Sequence, residues 1–282
     1  MLADFHPALR TWFERRFPEG PTEPQQRGWP QIRSGRDTLV AAPTGSGKTL
    51  SGFLVAIDAL YRAHERGEEV AGATRVVYVS PLKALAVDIH QNLERPLREI
   101  EETARSLGLD APALTVAVRT GDTPSSARAA MLKVPPSFLI TTPESLYLLL
   151  TAERSRELLR QVDSLIVDEI HTMARDKRGS HLALTIERLE HVQRQPAREA
   201  GPVEQPAREA GPVEQPAREA GPEEQRRRPQ RIGLSATQRP IEAIGRLLVG
   251  VGHRPAASIV DCGHQRDLDL ALELPETELG AA

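Results

Sequence analysis

Thr38-Leu39-Val40-Ala41-Ala42-Pro43-Thr44-Gly45-Ser46-Gly47-Lys48-Thr49 is the stretch on which the reading of this chain turns. Its first four residues are an apolar run that predicts a buried strand, and the residues after Thr49 carry the periodicity of a helix. Between them sits a turn with two glycines. Gly45 and Gly47 open backbone conformations closed to other residues, so successive N–H groups can converge on phosphate oxygens at the positive end of the helix. In such a cradle Thr44, Gly45, Ser46 and Gly47 surround the phosphates, Lys48 reaches the β and γ groups of a nucleoside triphosphate, and the Thr49 hydroxyl ligates Mg²⁺. Ala42 stands where the usual pattern begins with glycine, which leaves the tight part of the loop intact.

Working outward, short apolar runs alternate with helical stretches at 75–80, 114–119, 137–141, 165–168 and 231–235, with a further short run at 257–260. Near-continuous β-branched runs imply strands covered on both faces, and the helices between them imply crossovers. The expected fold is α/β: a doubly wound, mostly parallel sheet with helices on both faces, and ligands at the carboxyl ends of its strands. The expected organisation is an N-terminal helical segment over 1–36, an α/β nucleotide domain over 37–250, and a linker over 251–282.

Leu165-Ile166-Val167-Asp168-Glu169-Ile170-His171 is the second chemical signal. A strand that delivers two adjacent carboxylates beside a phosphate cradle supplies what hydrolysis needs. Asp168 would hold Mg²⁺, and Glu169 would orient and deprotonate the attacking water. His171 has no spaced partner for a metal site. Its expected role is coupling, with the hydroxyls of Ser235 and Thr237 at the end of the last core strand bonding the imidazole.

Other strand ends carry polar clusters: Ser80-Pro81-Leu82-Lys83, Arg119-Thr120-Gly121 and Thr141-Thr142-Pro143-Glu144. Each alone could be an ordinary cap or turn. In succession on one sheet edge, Ser80, Pro81, Lys83, Arg119, Gly121, Thr141, Thr142 and Glu144 suggest a track for a nucleic-acid backbone. Gln25 reads two ways: with Thr22 it completes a helix capping box, or its amide holds adenine and so separates ATP from GTP. Trp12, Phe13, Phe17 and Trp29 are expected in the core, and Phe5 is a candidate to cover the base.

The formal net charge of −3 makes no argument for nucleic-acid binding, so that expectation rests on local sites. No apolar run approaches the roughly 18 residues of a membrane span. The single cysteine, Cys262, forms no internal disulfide and fits a reducing compartment such as the cytoplasm. Between a helix ending near Gln193 and the 231–235 strand, the decapeptide Pro-Ala-Arg-Glu-Ala-Gly-Pro-Val-Glu-Gln occurs at 196–205 and 206–215 and again at 216–225 with Glu223 for valine. With two prolines and almost no apolar surface per copy, 195–228 is expected to be a disordered insertion. Arg226-Arg227-Arg228 beside it could touch nucleic acid or be a solvated charge run.

The order Gln25, Ala-Pro-Thr-Gly-Ser-Gly-Lys-Thr, Ser-Pro-Leu-Lys-Ala-Leu, Thr-Thr-Pro-Glu-Ser-Leu, Asp-Glu-Ile-His and Ser-Ala-Thr resembles the first RecA-like lobe of superfamily 2 DEAD/DEAH-type helicases. More narrowly, Asp-Glu-Ile-His followed by Lys177-Arg178-Gly179-Ser180-His181-Leu182-Ala183-Leu184 and Glu187-Arg188-Leu189 is similar to the Lhr (large helicase-related) family. The resemblance implies a RecA-like P-loop fold and ATP-driven translocation on single-stranded nucleic acid. It also implies DNA favoured over RNA, 3′ to 5′ polarity, separation of duplexes or DNA–RNA hybrids, and a link to DNA repair. Such helicases close a second RecA-like lobe over ATP, whose arginine fingers are worth roughly 10³ to 10⁵ in rate in related phosphoryl-transfer systems. No second cradle follows Thr237. The chain is therefore expected to behave as a fragment that binds ATP weakly and hydrolyses it poorly. The alternative is a nucleotide- and strand-binding module without useful catalysis.

Overall fold

Seven parallel strands form one sheet in the order β3-β4-β2-β5-β6-β1-β7 in the computed structural model, which describes residues 2–194, 228–250 and 254–263. The strands are β1 (Thr38–Ala41), β2 (Val76–Val79), β3 (Val116–Arg119), β4 (Phe138–Thr141), β5 (Ser164–Val167), β6 (Gln230–Ser235) and β7 (Ser258–Asp261). Every pairing is parallel, so the expected mostly parallel sheet is wholly so among the described residues. The repeats at 196–225 and most of the 251–282 segment lie outside the described residues.

Period-2 alternation assigns each strand residue to one of two cores. Val40, Tyr78, Ile166 and Leu234 pack beneath α1 (Pro7–Arg16), α2 (Glu23–Arg33), α3 (Lys48–Glu65) and α4 (Lys83–Ser106). Leu39, Val77, Leu165 and Val167 pack against α6 (Pro143–Thr151), α8 (Lys177–Arg194) and α9 (Ile241–Val249). The small helices α5 (Ser125–Lys133) and α7 (Glu153–Arg156) complete the crossovers. Both faces of the sheet are thereby covered, the requirement that made the strands read as continuous apolar runs.

The N-terminal helices break between Arg16 and Glu23, where Pro18-Glu19-Gly20-Pro21 predicts a break. Trp12, Phe13 and Trp29 are core residues as expected. Phe5 corrects its expectation. It is buried edge-on against Trp29, ring centroids 4.9 Å apart, so its ring is spent on the core and cannot cover a base.

The order of the strands positions the chemistry. At about 4.8 Å per strand, β5, β6 and β1 bring the Asp168-Glu169, Ser-Ala-Thr and phosphate-loop ends within about 10 Å. Strands β3, β4 and β2 line up their polar ends on the other half of the same edge.

The opposite end of the sheet is fastened by buried charge. Arg231 on β6 donates to Glu187 and Glu190 of α8 at 2.8 and 2.7 Å and to the Leu248 carbonyl at 3.2 Å. Arg254 joins Glu190 to Asp37, both at 2.7 Å. Burial pushes the Glu190 carboxyl up, and Arg254, Arg231 and Arg194 outweigh it, holding the group below its ordinary value. Removing one member of a buried ionic network leaves uncompensated charge behind. Glu190→Ala is therefore predicted to cost about 3–5 kcal/mol, read from the urea unfolding midpoint; a loss under about 1 kcal/mol would show the network to be dispensable.

Candidate nucleotide site and strand-end track

Gly45 and Gly47 hold φ of 79° and 82°, the left-handed region that the sequence predicts for a tight phosphate loop. Gly47 is constrained twice. A Cβ there would lie 2.7 Å from Gln25 Nε2 and 3.2 Å from Thr22 Oγ1, so the α2 cap seats directly on the loop. Gln25 itself is buried. Its Oε1 accepts from the Thr22 N–H at 3.0 Å and its Nε2 donates to the Gly47 carbonyl at 3.3 Å. The capping-box reading is realised, and the same amide braces the loop. Thr44 and Gly45 are exposed, while Ser46 Oγ is buried with no hydrogen-bond partner, a donor and acceptor left at the loop for a ligand.

Lys48 opens α3, is almost wholly buried, and places its Nζ 3.3 Å from Glu169 Oε1. The cradle and the carboxylate pair, far apart in sequence, meet at this contact. Asp168 is fixed from two sides: its Oδ1 accepts from the Glu169 N–H at 2.9 Å and its Oδ2 accepts from the Tyr78 hydroxyl. Burial raises the Asp168 carboxyl above its ordinary value, with the Tyr78 hydrogen bond opposing. Burial, then the Asp168 charge, pushes the Tyr78 phenol well up, so it stays a donor. Tyr78 was legible only as a strand residue; its place on the α3-facing side of β2 is the signal that could have marked it.

A carboxylate has about four acceptor positions, and Asp168 uses one on each oxygen. Together with the Thr49 hydroxyl, this sparse oxygen set fits Mg²⁺, which keeps several waters and takes phosphate oxygens rather than a full protein cage.

Glu169 has φ 45° and ψ 38°, the one non-glycine residue with positive φ among those described. Left-handed backbone costs an L-residue roughly 1–2 kcal/mol, so the strain sits on the residue that faces Lys48. His171 departs from expectation. Its Nδ1 accepts from the Ala236 N–H at 3.1 Å, and the main chain of the Ser-Ala-Thr segment makes the link. Ser235 Oγ donates to the Ala236 carbonyl at 2.7 Å, and a Cβ on Gly263 would meet Thr237 Cγ2 at 2.3 Å, so both hydroxyl residues shape the loop. Burial holds the imidazole below its ordinary value, which keeps Nδ1 an acceptor.

The strand-end track is also revised in detail. Ser80 and Thr141 are buried, and their hydroxyls donate to the Leu82 and Arg119 carbonyls at 3.2 and 2.6 Å, so neither faces a ligand. Thr142 caps α6 by accepting from the Ser145 N–H. Arg119 turns inward, donating to the Thr120 carbonyl beside an apolar cavity lined by Met131 and Leu149. What the edge presents is Lys83, paired with Asp122 at 2.7 Å beside exposed Gly121, and exposed Glu144. Pro81 is buried but offers its carbonyl to Arg178 Nη2 at 2.8 Å. Arg178 Nε donates to Glu144 Oε1 at the same distance.

The DEAD/DEAH box helicase family pattern matches residues 22–244. The Lhr helicase/probable uracil glycosylase of Mycolicibacterium smegmatis is 43% identical over 278 residues, 99% of this chain and 16% of that protein. The ATP-dependent helicase Lhr-Core of Methanothermobacter thermautotrophicus is 42% identical over 279 residues, 98% of this chain and 28% of that protein. The solved structure of Mycobacterium smegmatis helicase Lhr bound to ssDNA and AMP-PNP has a TM-score of 0.73 at 43% identity, covering 92% of this chain and 28% of that one. The chain thus spans less than a third of the length of these relatives. No helix among the described residues is long and apolar enough to cross a membrane.

Replacing Glu169 by glycine removes the backbone strain and the carboxylate together. Glu169→Gly is predicted to be more stable than Glu169→Ala by up to about 1 kcal/mol, seen as a higher Tm, because both variants lose the carboxylate facing buried Lys48 and only glycine also relieves the left-handed backbone. Equal Tm values for the glycine and alanine variants would show that position 169 carries no strain.

Proposed function

Because the chain belongs to the DEAD/DEAH box helicases, we propose that it is the ATP-binding motor lobe of a nucleic-acid-dependent ATPase of the Lhr kind. The observation that carries this reading is the 3.3 Å approach of Lys48 Nζ to Glu169 across a phosphate loop with both glycines in left-handed conformation. The loop N–H groups and Lys48 take the phosphates, and Ser46 Oγ finds there the partner it otherwise lacks. Arrival of a triphosphate draws the Lys48 ammonium onto phosphate oxygen and frees the Glu169 carboxylate to accept a proton from the attacking water. Bound Mg²⁺, held through Thr49 and Asp168, would neutralise charge on the phosphates. Tyr78 keeps the Asp168 carboxylate fixed by occupying one oxygen, and His171 ties the Glu169 turn to the end of β6. Gln25 is proposed to meet adenine from its place above Gly47, the loop-bracing and base-reading roles being compatible.

Single-stranded nucleic acid, DNA in preference to RNA, or a DNA–RNA hybrid is the proposed polymer. It runs over the exposed Lys83, Gly121 and Glu144 edge, with main-chain N–H groups holding phosphates. The Lhr structure bound to ssDNA and AMP-PNP supports that pairing of ligands. A second RecA-like lobe closing on the cradle is proposed to supply the arginines needed for fast turnover. The other reading, a module that binds nucleotide and strand without turnover, is favoured by the ion pair itself, since Lys48 restrains Glu169 until displaced.

ATP turnover measured with and without single-stranded DNA decides between them. The motor reading expects strand-stimulated turnover, abolished in Lys48→Ala together with nucleotide binding. Glu169→Gln should keep binding and lose about 10²–10⁴ in turnover, the usual share of a general base. Binding in the parent chain with turnover no higher than in either variant would establish the module instead.

A further inference from the structure

Arg178 lies outside the phosphate cradle and the carboxylate pair, yet it joins the turn after the carboxylate pair to the β2 and β4 ends on the other half of the sheet edge. Its Nη2 donates to the Pro81 carbonyl, just past β2, and its Nε donates to Glu144, in the first turn of α6 after β4, each at 2.8 Å. The segment from Glu169 to Arg178 has little slack. Thr172 N–H donates to the Glu169 carbonyl at 2.8 Å, Met173 N–H to Ile170 at 3.2 Å, and Ala174 N–H to His171 at 3.3 Å. Ile170 and Met173 are fully buried and anchor this turn in the core. Asp176 caps α8, its Oδ1 accepting from the Arg178 N–H at 2.8 Å. The helix start is pressed onto the turn so closely that a Cβ on Gly179 would lie 2.3 Å from the Met173 carbonyl oxygen.

A turn this tightly bonded moves as a unit. Displacement of Glu169, when a triphosphate takes Lys48 away from it, reaches Arg178 and through it the carbonyl of Pro81 and the carboxylate of Glu144. The reverse also holds. A phosphate chain settling on this edge meets Glu144 as a like charge, and Arg178 is the group that neutralises it. Its guanidinium suits the task because one planar fork serves a carboxylate and a carbonyl at once, which an ammonium on a flexible stem does not. Burial pushes the Glu144 carboxyl up, and Arg178 more than reverses this, so the pair stays charged beside the strand.

We propose that Arg178 is a positioning residue that couples nucleotide occupancy to nucleic-acid binding, working through Pro81 and Glu144 alongside the His171–Ala236 link. This rests on the motor reading above and adds to it the path between its two ligands.

The test is a linkage measurement on the full chain: the affinity of a fluorescent oligo(dT) strand with and without a saturating non-hydrolysable ATP analogue. Coupling of ordinary size makes the two affinities differ by about fivefold or more. In Arg178→Ala the ratio should fall to within about twofold of one, while the strand still binds without nucleotide. Glu144→Gln, which removes the charge and keeps the shape, should reduce the ratio in the same direction and serves if Arg178→Ala does not fold. Arg178→Lys should fail to restore the parent ratio. A folded Arg178→Ala chain with the parent ratio would overturn the inference and leave the motor reading standing. So would a variant whose strand affinity falls equally with and without nucleotide, because that is a simple contact. A parent chain that binds neither strand nor nucleotide would remove the motor reading and this inference together.

Discussion

The contact between the Lys48 ammonium and the Glu169 carboxylate, 3.3 Å apart, is the constraint on which the site depends. It closes a loop of more than a hundred residues, and a parallel sheet is what makes that closure possible. Because β6 lies between β5 and β1, the phosphate loop and the carboxylate pair emerge on one edge two strands apart. The third strand end, Ser-Ala-Thr, falls between them and touches His171 by its main chain. A strand order that set β5 and β1 at opposite edges of the sheet would deliver the same residues to places where they could not meet a single triphosphate.

Rigidity at this edge comes from several small braces rather than one large one. Gln25 holds the loop to the α2 cap, Tyr78 holds Asp168, and the Glu169 turn is knitted to α8. The strained backbone at Glu169 is tolerated because residues on either side are buried and bonded. At the far end of the sheet, Arg231, Arg254, Glu190 and Asp37 tie β1, β6 and α8 together with charges that have left water. One end of the sheet is thus clamped by buried ionic pairs, and the other leaves Ser46 Oγ unpartnered at the phosphate loop.

How far the sequence foretold this depends on whether a contact is local. All seven strands were legible, since burial on both faces leaves uninterrupted apolar runs, and the glycine-bearing loop was legible because left-handed backbone calls for glycine. That the 168–169 carboxylates lie beside the phosphate cradle followed once the strands were taken as parallel, and the direct Lys48–Glu169 contact came only with the structure. What was hidden depends on direction in space. Ser80 and Thr141 look like hydroxyls at an open edge but donate to carbonyls one strand away or within their own turn. Phe5 looks free near the N-terminus but packs on Trp29. Tyr78 looks like one more strand residue, and Arg178 like one more surface arginine, until β2, α6 and α8 are placed side by side.

The measurement that bears most directly on the account is a crystal structure of this chain with magnesium and a non-hydrolysable ATP analogue. The account predicts phosphates against the N–H groups of residues 45–49, Lys48 Nζ moved from Glu169 onto phosphate oxygen, and the Glu169 carboxylate facing the terminal phosphate. An analogue bound elsewhere, or a Lys48–Glu169 pair left intact beneath it, would contradict it.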